Sequence, residues 1–158
     1  STPLQTLFPY TTLFRSEDYK YRIFASPISQ IALNDEEFIP TCDNRLLRRI
    51  TRDSQTRNKT AQQTIESWPS VRRGEEKWIL PFRGNADAIF NTAMIYELAA
   101  IKEKAESLLK EVPESASVYE EAQRLLGYLA HFMAITDDEI PRTSLLREFI
   151  GGSVFDVG

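Results

Sequence analysis

The sequence predicts an α/β fold that becomes mainly α-helical in its C-terminal part. Residues 21–26 are rich in β-branched and aromatic side chains, which is typical of a strand, and 86–90 indicate a second, short and buried strand. Two longer stretches, 94–112 and 118–133, place apolar residues on one face at helical spacing. Because only Pro113 and a short turn separate these stretches, we expect their helices to pair as an αα-hairpin.

The overall composition is that of an ordinary globular protein. Of the 158 residues, 42% are hydrophobic and 27% charged, and no apolar run approaches the roughly 20 residues that span a bilayer. The net charge of −4 argues against general nucleic-acid binding, although eight of the 19 basic residues lie in 45–73. One cysteine, Cys42, and one histidine, His131, cannot form a disulfide or a Cys/His metal set. We therefore expect a cytoplasmic protein without a metal site, a membrane or a nucleic-acid partner.

The most informative stretch is 43–59, DNRLLRRITRDSQTRNK. If a helix opens at Asn44, four arginines share one third of its circumference and three apolar residues face the other way. We call these four the arginine stripe: Arg45, Arg48, Arg49 and Arg52. Packing does not explain them, because guanidiniums on one face repel each other, whereas a multiply charged anion such as phosphate does. A solvated basic helix face is the alternative.

The flanks of this helix set its limits. Residues 41–43 carry side chains that can cap its start, and we expect it to end by Thr56. Arg57 and Lys59 then lie in the following turn, where they are free to reach toward a ligand of the stripe.

Three shorter segments complete the secondary structure that we predict. Residues 28–40 form a connector. A short helix over 60–67, capped by its first residue, should be broken at Trp68-Pro69. After Pro141 a last short helix should end at Gly151-Gly152 with a left-handed C-cap.

Other residues with chemical potential favour structural interpretations. Trp68 and Trp78 have spacings typical of packing residues rather than of base-stacking ones. Cys42 has no histidine nearby to activate it. Arg72-Arg73 beside Glu75-Glu76 predicts a local cluster of ion pairs.

The arginine spacing resembles the lid of the uridine kinase and phosphoribulokinase family of P-loop kinases. That lid carries a pattern close to D-x-R-L-x-R-R-x-x-R-D-x-x-x-R-G, and this chain reads DNRLLRRITRD from Asp43, followed by Arg57. Residues 86–89, ADAI, are similar to the last sheet strand of the family, and 68–76, WPSVRRGEE, resemble a stretch in a bacterial nucleoside kinase branch. Asn58 stands where the family usually has glycine, which it can replace in a left-handed turn.

The resemblance implies transfer of the γ-phosphoryl group of ATP, with Mg²⁺, to a hydroxyl of a nucleoside of the uridine type. Residues 17–92 would then be the C-terminal part of the kinase domain, with the lid at 43–59, and 93–158 a helical tail. The residues implied to bind ATP phosphates are Arg45, Arg48, Arg52 and Arg57, of which Arg45 and Arg48 could instead serve carboxylates of the lid. Arg52 and Arg57 would also stabilise the transition state, Arg49 and Lys59 would lie near the acceptor, and Asp53 would orient an arginine.

The P-loop itself has no counterpart in this sequence. No glycine begins a G-x-x-x-x-G-K-[ST] run, so we expect an N-terminal half of the kinase to supply the phosphate loop, the Mg²⁺ ligands and the base. Residues 6–16, TLFPYTTLFRS, resemble a translated sequencing adapter, and we therefore exclude 1–16 as an artefact. We expect this chain alone to be inactive and, with sheet edges and apolar helix faces exposed, poorly soluble.

Two alternatives stay open at this stage. A kinase of the phosphoribulokinase type would use a sugar phosphate as acceptor. A non-enzymatic helical interaction module would use the stripe to bind an acidic partner protein. Self-association into a homo-oligomer also stays open.

Overall fold

The computed structural model describes residues 20–28, 31–36 and 38–155, so the adapter-like stretch 6–16 lies outside the described residues. The described chain is α/β and rich in helix. Its strands are β1 (Ile23–Ser26), β2 (Ile31–Ala32), β3 (Phe38–Ile39) and β4 (Ala88–Asn91). Its α-helices are α1 (Thr41–Thr56), α2 (Ala61–Trp78), α3 (Glu97–Lys110), α4 (Tyr119–Ala130) and α5 (Arg147–Ile150). Two 3₁₀ helices cover Leu80–Asn85 and Asp137–Glu139.

Both predicted strands are confirmed, and they pair with each other. β1 and β4 run parallel, with Ile23 opposite Ala88 and Ser26 opposite Asn91. The expectation that β4 is buried is wrong, because Phe90 is 60% exposed and no residue of β4 is fully buried. Within 28–40, which the sequence suggested was only a connector, β2 and β3 form a short antiparallel ladder.

The arginine helix α1 begins earlier than predicted and ends as predicted. Pro40 is its N-cap, and no side chain caps it, so the expected capping role of 41–43 is wrong. Proline fits this position because the φ of −61° found there is close to the value that its ring fixes. The helix ends at Thr56. Its apolar face, Leu46, Leu47 and Ile50, is completely buried and anchors α1 in the core.

The expected break at Trp68-Pro69 is wrong, because α2 continues through Pro69 to Trp78. The predicted cap is confirmed: the Thr60 hydroxyl accepts from the backbone N–H of Gln63, and the side-chain oxygen of Gln63 accepts from the backbone N–H of Thr60. A proline inside a helix removes one backbone hydrogen bond. Packing in the turn before Pro69 compensates, since Ile65 is buried and Trp68 packs against the core.

The αα-hairpin is confirmed in α3 and α4, whose apolar faces form much of the core. Lys102 of α3 donates to the carbonyls of Leu129 (2.9 Å) and Phe132 (2.7 Å) at the end of α4. The ammonium therefore binds carbonyls at the negative end of the helix dipole. Met133, expected on the apolar face, is 87% exposed because α4 ends at Ala130.

The C-terminal helix ends as predicted. Gly151 and Gly152 both have positive φ, 91° and 72°, which glycine adopts without steric cost. Among the described residues, no helix combines the length and the apolar composition needed to cross a membrane.

Candidate functional site

The four arginines of the stripe line a single pocket of about 270 Å³, which we call the arginine pocket. The helical spacing of α1 and its buried apolar face together aim all four guanidiniums the same way. Trp68 and Glu75 of α2 form a second wall, and Glu148 and Phe149 of α5 form a third. The packing of α1, α2 and α5 therefore places the four arginines around one concave surface.

The arginine pocket lies at one defined edge of the parallel strand pair. Pro27 and Thr92 both line it, and they are the residues that directly follow β1 and β4. The two strand ends are tied together, because Asn91 accepts from the N–H of Ile28 (2.9 Å) and donates to its carbonyl (3.0 Å). Ligands of open parallel sheets bind at this carboxyl edge, so the pocket occupies the usual position for a ligand site.

Asp53 is the centre of an ion-pair cluster beneath the stripe. Its carboxylate is completely buried, and it lies 2.9 Å from Nη1 of Arg57, 3.3 Å from Nε of Arg49 and 3.6 Å from Nε of Arg52. Arg57 also donates a hydrogen bond to this carboxylate, whereas Arg49 and Arg52 contact it as ion pairs without a hydrogen bond from Nε. The predicted pairing of Asp53 with an arginine is thus present with three of them.

Arg48 is the most deeply placed arginine of the stripe. Its Nε lies 3.2 Å from Oε1 of Glu97 on α3, and its guanidinium lies 4.5 Å from the ring centre of Phe149. Burial lowers the pKa of Arg48 and raises the pKa of Glu97, because both groups lose hydration. The attraction between the two charges opposes both shifts.

Arg45 lies on the side of the pocket nearest α2. It pairs with Glu75 and also donates to the Ser26 hydroxyl (3.5 Å) at the end of β1. Arg72 pairs with Glu75 (3.9 Å) and Glu76 (3.1 Å), which confirms the predicted local ion-pair cluster. Arg45 therefore links α1 to α2 through Glu75 and to the strand pair through Ser26.

Arg57 and Lys59 do not line the arginine pocket. Arg57 turns back onto Asp53 from the end of α1. Lys59 follows Asn58, whose φ of 50° shows the left-handed turn that asparagine tolerates. The fold thus brings together four of the six arginines and lysines predicted for the site, and leaves the other two at the end of α1.

Three further carboxylate partners of the stripe are residues of the candidate site that sequence reasoning missed. Glu75, Glu97 and Glu148 belong to three other helices. Each looks like an ordinary acidic residue of an amphipathic helix, so only tertiary structure identifies it. Of the residues lining the pocket, four are arginines and two, Glu75 and Glu148, are acidic, which leaves the lining cationic.

The described residues include no group of three His, Cys, Asp or Glu side chains placed to hold a metal ion. The chain matches no protein-family model, and neither the curated proteins nor the solved structures contain a significant match. The resemblance to the uridine kinase family therefore stays a prediction from the residues themselves.

Proposed function

We propose that the arginine pocket binds the phosphate groups of ATP, and that the parent protein is a cytoplasmic kinase that phosphorylates a hydroxyl of a nucleoside. One observation supports this most: four guanidiniums of α1 converge on a pocket at the carboxyl edge of the parallel strands. Guanidinium groups bind phosphate oxygens through paired hydrogen bonds. The edge of the sheet is where such ligands bind in α/β proteins.

The geometry suits the stabilisation of transferred charge. Negative charge spreads over the phosphoryl oxygens during transfer, so fixed cations lower the barrier. The buried charge of Asp53 attracts Arg49 and Arg52 before any ligand arrives, which lowers the entropy that ordering their side chains would cost on binding. Arg57 and Lys59 would contact a ligand only after a movement of the turn at Asn58, as expected of a closing lid.

The remaining parts of the reaction are assigned to sequence outside these 158 residues. The phosphate loop, the Mg²⁺ ligands and the base that activates the acceptor would all come from the preceding half of the kinase. This chain alone would bind phosphate groups without turnover. A panel of nucleosides and sugar phosphates tested on the full-length enzyme would identify the acceptor.

The second candidate function is binding of an acidic protein segment. A specific observation favours it, because the carboxylate of Glu148 already contacts Arg52 at 3.5 Å. A glutamate-rich peptide is therefore the natural competitor of oligophosphate in any test of the pocket.

The test is a titration with inorganic tripolyphosphate in a Trp78→Phe background, where Trp68 in the pocket wall is the remaining fluorescent tryptophan. Arg49→Gln and Arg52→Gln should each weaken binding about tenfold, the usual value of a charge-assisted contact. The matched control is Arg73→Gln, which removes the same charge from an exposed position on α2.

Two results would overturn the proposal. Equal losses in the Arg52→Gln and Arg73→Gln proteins would mean that tripolyphosphate is attracted only by general charge. A glutamate-rich peptide that binds more tightly than tripolyphosphate would favour the interaction module instead.

A further inference from the structure

Helix α5 places an acidic side chain inside the arginine pocket. Oε1 of Glu148 lies 3.5 Å from Nη1 of Arg52, and Glu148 lines the pocket beside Phe149. A carboxylate is the simplest protein group that resembles a phosphate oxygen pair, since both accept from a guanidinium fork. Glu148 thus occupies part of the surface that an oligophosphate would use.

The backbone of α5 is firmly anchored, so Glu148 stays at the pocket. Leu146 and Phe149 are buried in the core. The guanidinium of Arg147 donates to the carbonyl of Asp137 (2.6 Å), and Gln55 of α1 donates to the carbonyl of Phe149 (2.7 Å). A group tethered in this way acts at a high effective concentration.

The side chain of Glu148 is nevertheless displaceable. It is 37% exposed, and its charged end makes an ion pair that is open to solvent. Pairs of this kind contribute little to stability, so rotation of the side chain into water costs little. The other acidic residue of the lining, Glu75, is buried between Arg45 and Arg72 and cannot leave in the same way.

We infer that Glu148 is a built-in competitor that determines which anions the arginine pocket accepts. The inference rests on the proposed function, because it needs the pocket to bind phosphate groups. Glu148 holds Arg52 until an oligophosphate, which carries several charges, displaces it. A singly charged carboxylate ligand gains no advantage over the tethered one.

The test is the affinity for tripolyphosphate of the full chain carrying Glu148→Gln. We expect binding about fivefold tighter, because the ligand no longer displaces an ion pair from Arg52. Glu148→Asp keeps the charge but shortens the side chain, and it should give most of this gain. The matched control is Glu114→Gln, an exposed glutamate in the loop between α3 and α4, which should change the affinity much less.

A double-mutant cycle with Arg52→Gln separates competition from general charge. If Glu148 acts by occupying Arg52, Glu148→Gln should give little further gain in the Arg52→Gln protein. A gain of the same size in both backgrounds would overturn the inference, and so would equal gains from Glu148→Gln and Glu114→Gln.

Failure of the inference is distinguishable from failure of the proposed function. If tripolyphosphate binds the unmodified chain and Arg52→Gln weakens it, but Glu148→Gln leaves the affinity unchanged, the inference alone is wrong. If none of these proteins binds tripolyphosphate, both the proposed function and the inference are wrong.

Discussion

The helical part of the molecule and its parallel strand pair are held together by different interactions. Helices α1, α3, α4 and α5 surround a closed core in which Leu98, Leu125 and Leu146 are completely buried. The strand pair and the adjoining 3₁₀ helix expose large apolar side chains, among them Phe82 and Phe90. Hydrophobic burial therefore stabilises the first region far more than the second.

The strand pair is stabilised mainly by hydrogen bonds. Beyond the ladder itself, the N–H of Arg22 donates to Asp87 (2.6 Å), and Asn91 bonds twice to Ile28. A two-stranded sheet with little apolar cover is only marginally stable in water. The arginine pocket lies between the regions, so it has a rigid cationic wall on α1 and a weakly held wall at the strand ends.

The largest effect should come from a buried ion pair in the helical part. Arg48→Met leaves the completely buried carboxylate of Glu97 without its cation, and should cost about 3 to 5 kcal/mol at pH 7. The matched control is Lys110→Met, which breaks a solvent-exposed pair with Glu106 and should cost less than about 0.5 kcal/mol. Urea denaturation measures both, and equal losses would contradict the comparison.

The pH dependence of the Arg48→Met loss follows from the pKa of Glu97. Burial raises that pKa above the ordinary value of 4.5, so the folded state holds the proton more tightly than the unfolded chain. The protonated Glu97 side chain therefore adds to the free energy of unfolding. This contribution is fully present below about pH 4.5 and is lost as the pH rises through the pKa of Glu97 in the folded state. Removal of Arg48 raises the pKa further, so the loss should shrink on acidification. A loss independent of pH would exclude Glu97 as its cause.

A smaller loss of stability is expected from truncating one core side chain, and a still smaller one from truncating an exposed apolar side chain. Leu125→Ala on α4 creates a cavity at a fully buried site and should cost about 3 kcal/mol. Phe82→Ala removes a larger side chain that is 56% exposed, and should cost less than about 1 kcal/mol. Thermal or urea unfolding of the two variants provides the comparison. If Phe82→Ala proved the more damaging, the exposed surface would have to be part of a folded core in solution.

Helical elements were predictable wherever a one-sided apolar pattern continued for several turns. Helix α1 and the αα-hairpin follow from such patterns, since packing on the core decides them. Helix α2 was misjudged at Pro69, because the local rule against proline was outweighed by burial of Ile65 and by the packing of Trp68. The prediction that β4 is buried is also wrong, since its apolar sequence does not reveal whether another element packs on it.

The cations of the candidate site and one of its anions, Asp53, were predictable from the sequence, and the other anions were not. Four arginines at helical spacing are visible in the sequence, and their convergence follows from helix geometry. Their partners Glu75, Glu97 and Glu148 are brought to α1 only by the packing of α2, α3 and α5. The competition that we infer at Arg52 therefore cannot be predicted from the sequence, because it depends on the position of α5 against α1.

The smallest effect on stability, and the most direct test of the exposed strand face, should come from Phe90→Thr. Phe90 contributes little buried area and threonine keeps a high β-propensity, so the free energy of unfolding should change by less than about 0.5 kcal/mol. Self-association measured by light scattering should fall, because β4 pairs only with β1 among the described strands and carries exposed apolar surface along its edge. Met133→Thr removes an even more exposed apolar side chain, but from the end of α4. If Met133→Thr reduced scattering as much as Phe90→Thr, hydrophobic exposure in general would drive association. If Phe90→Thr alone reduced it, the exposed face of β4 would be the surface through which copies of this chain associate.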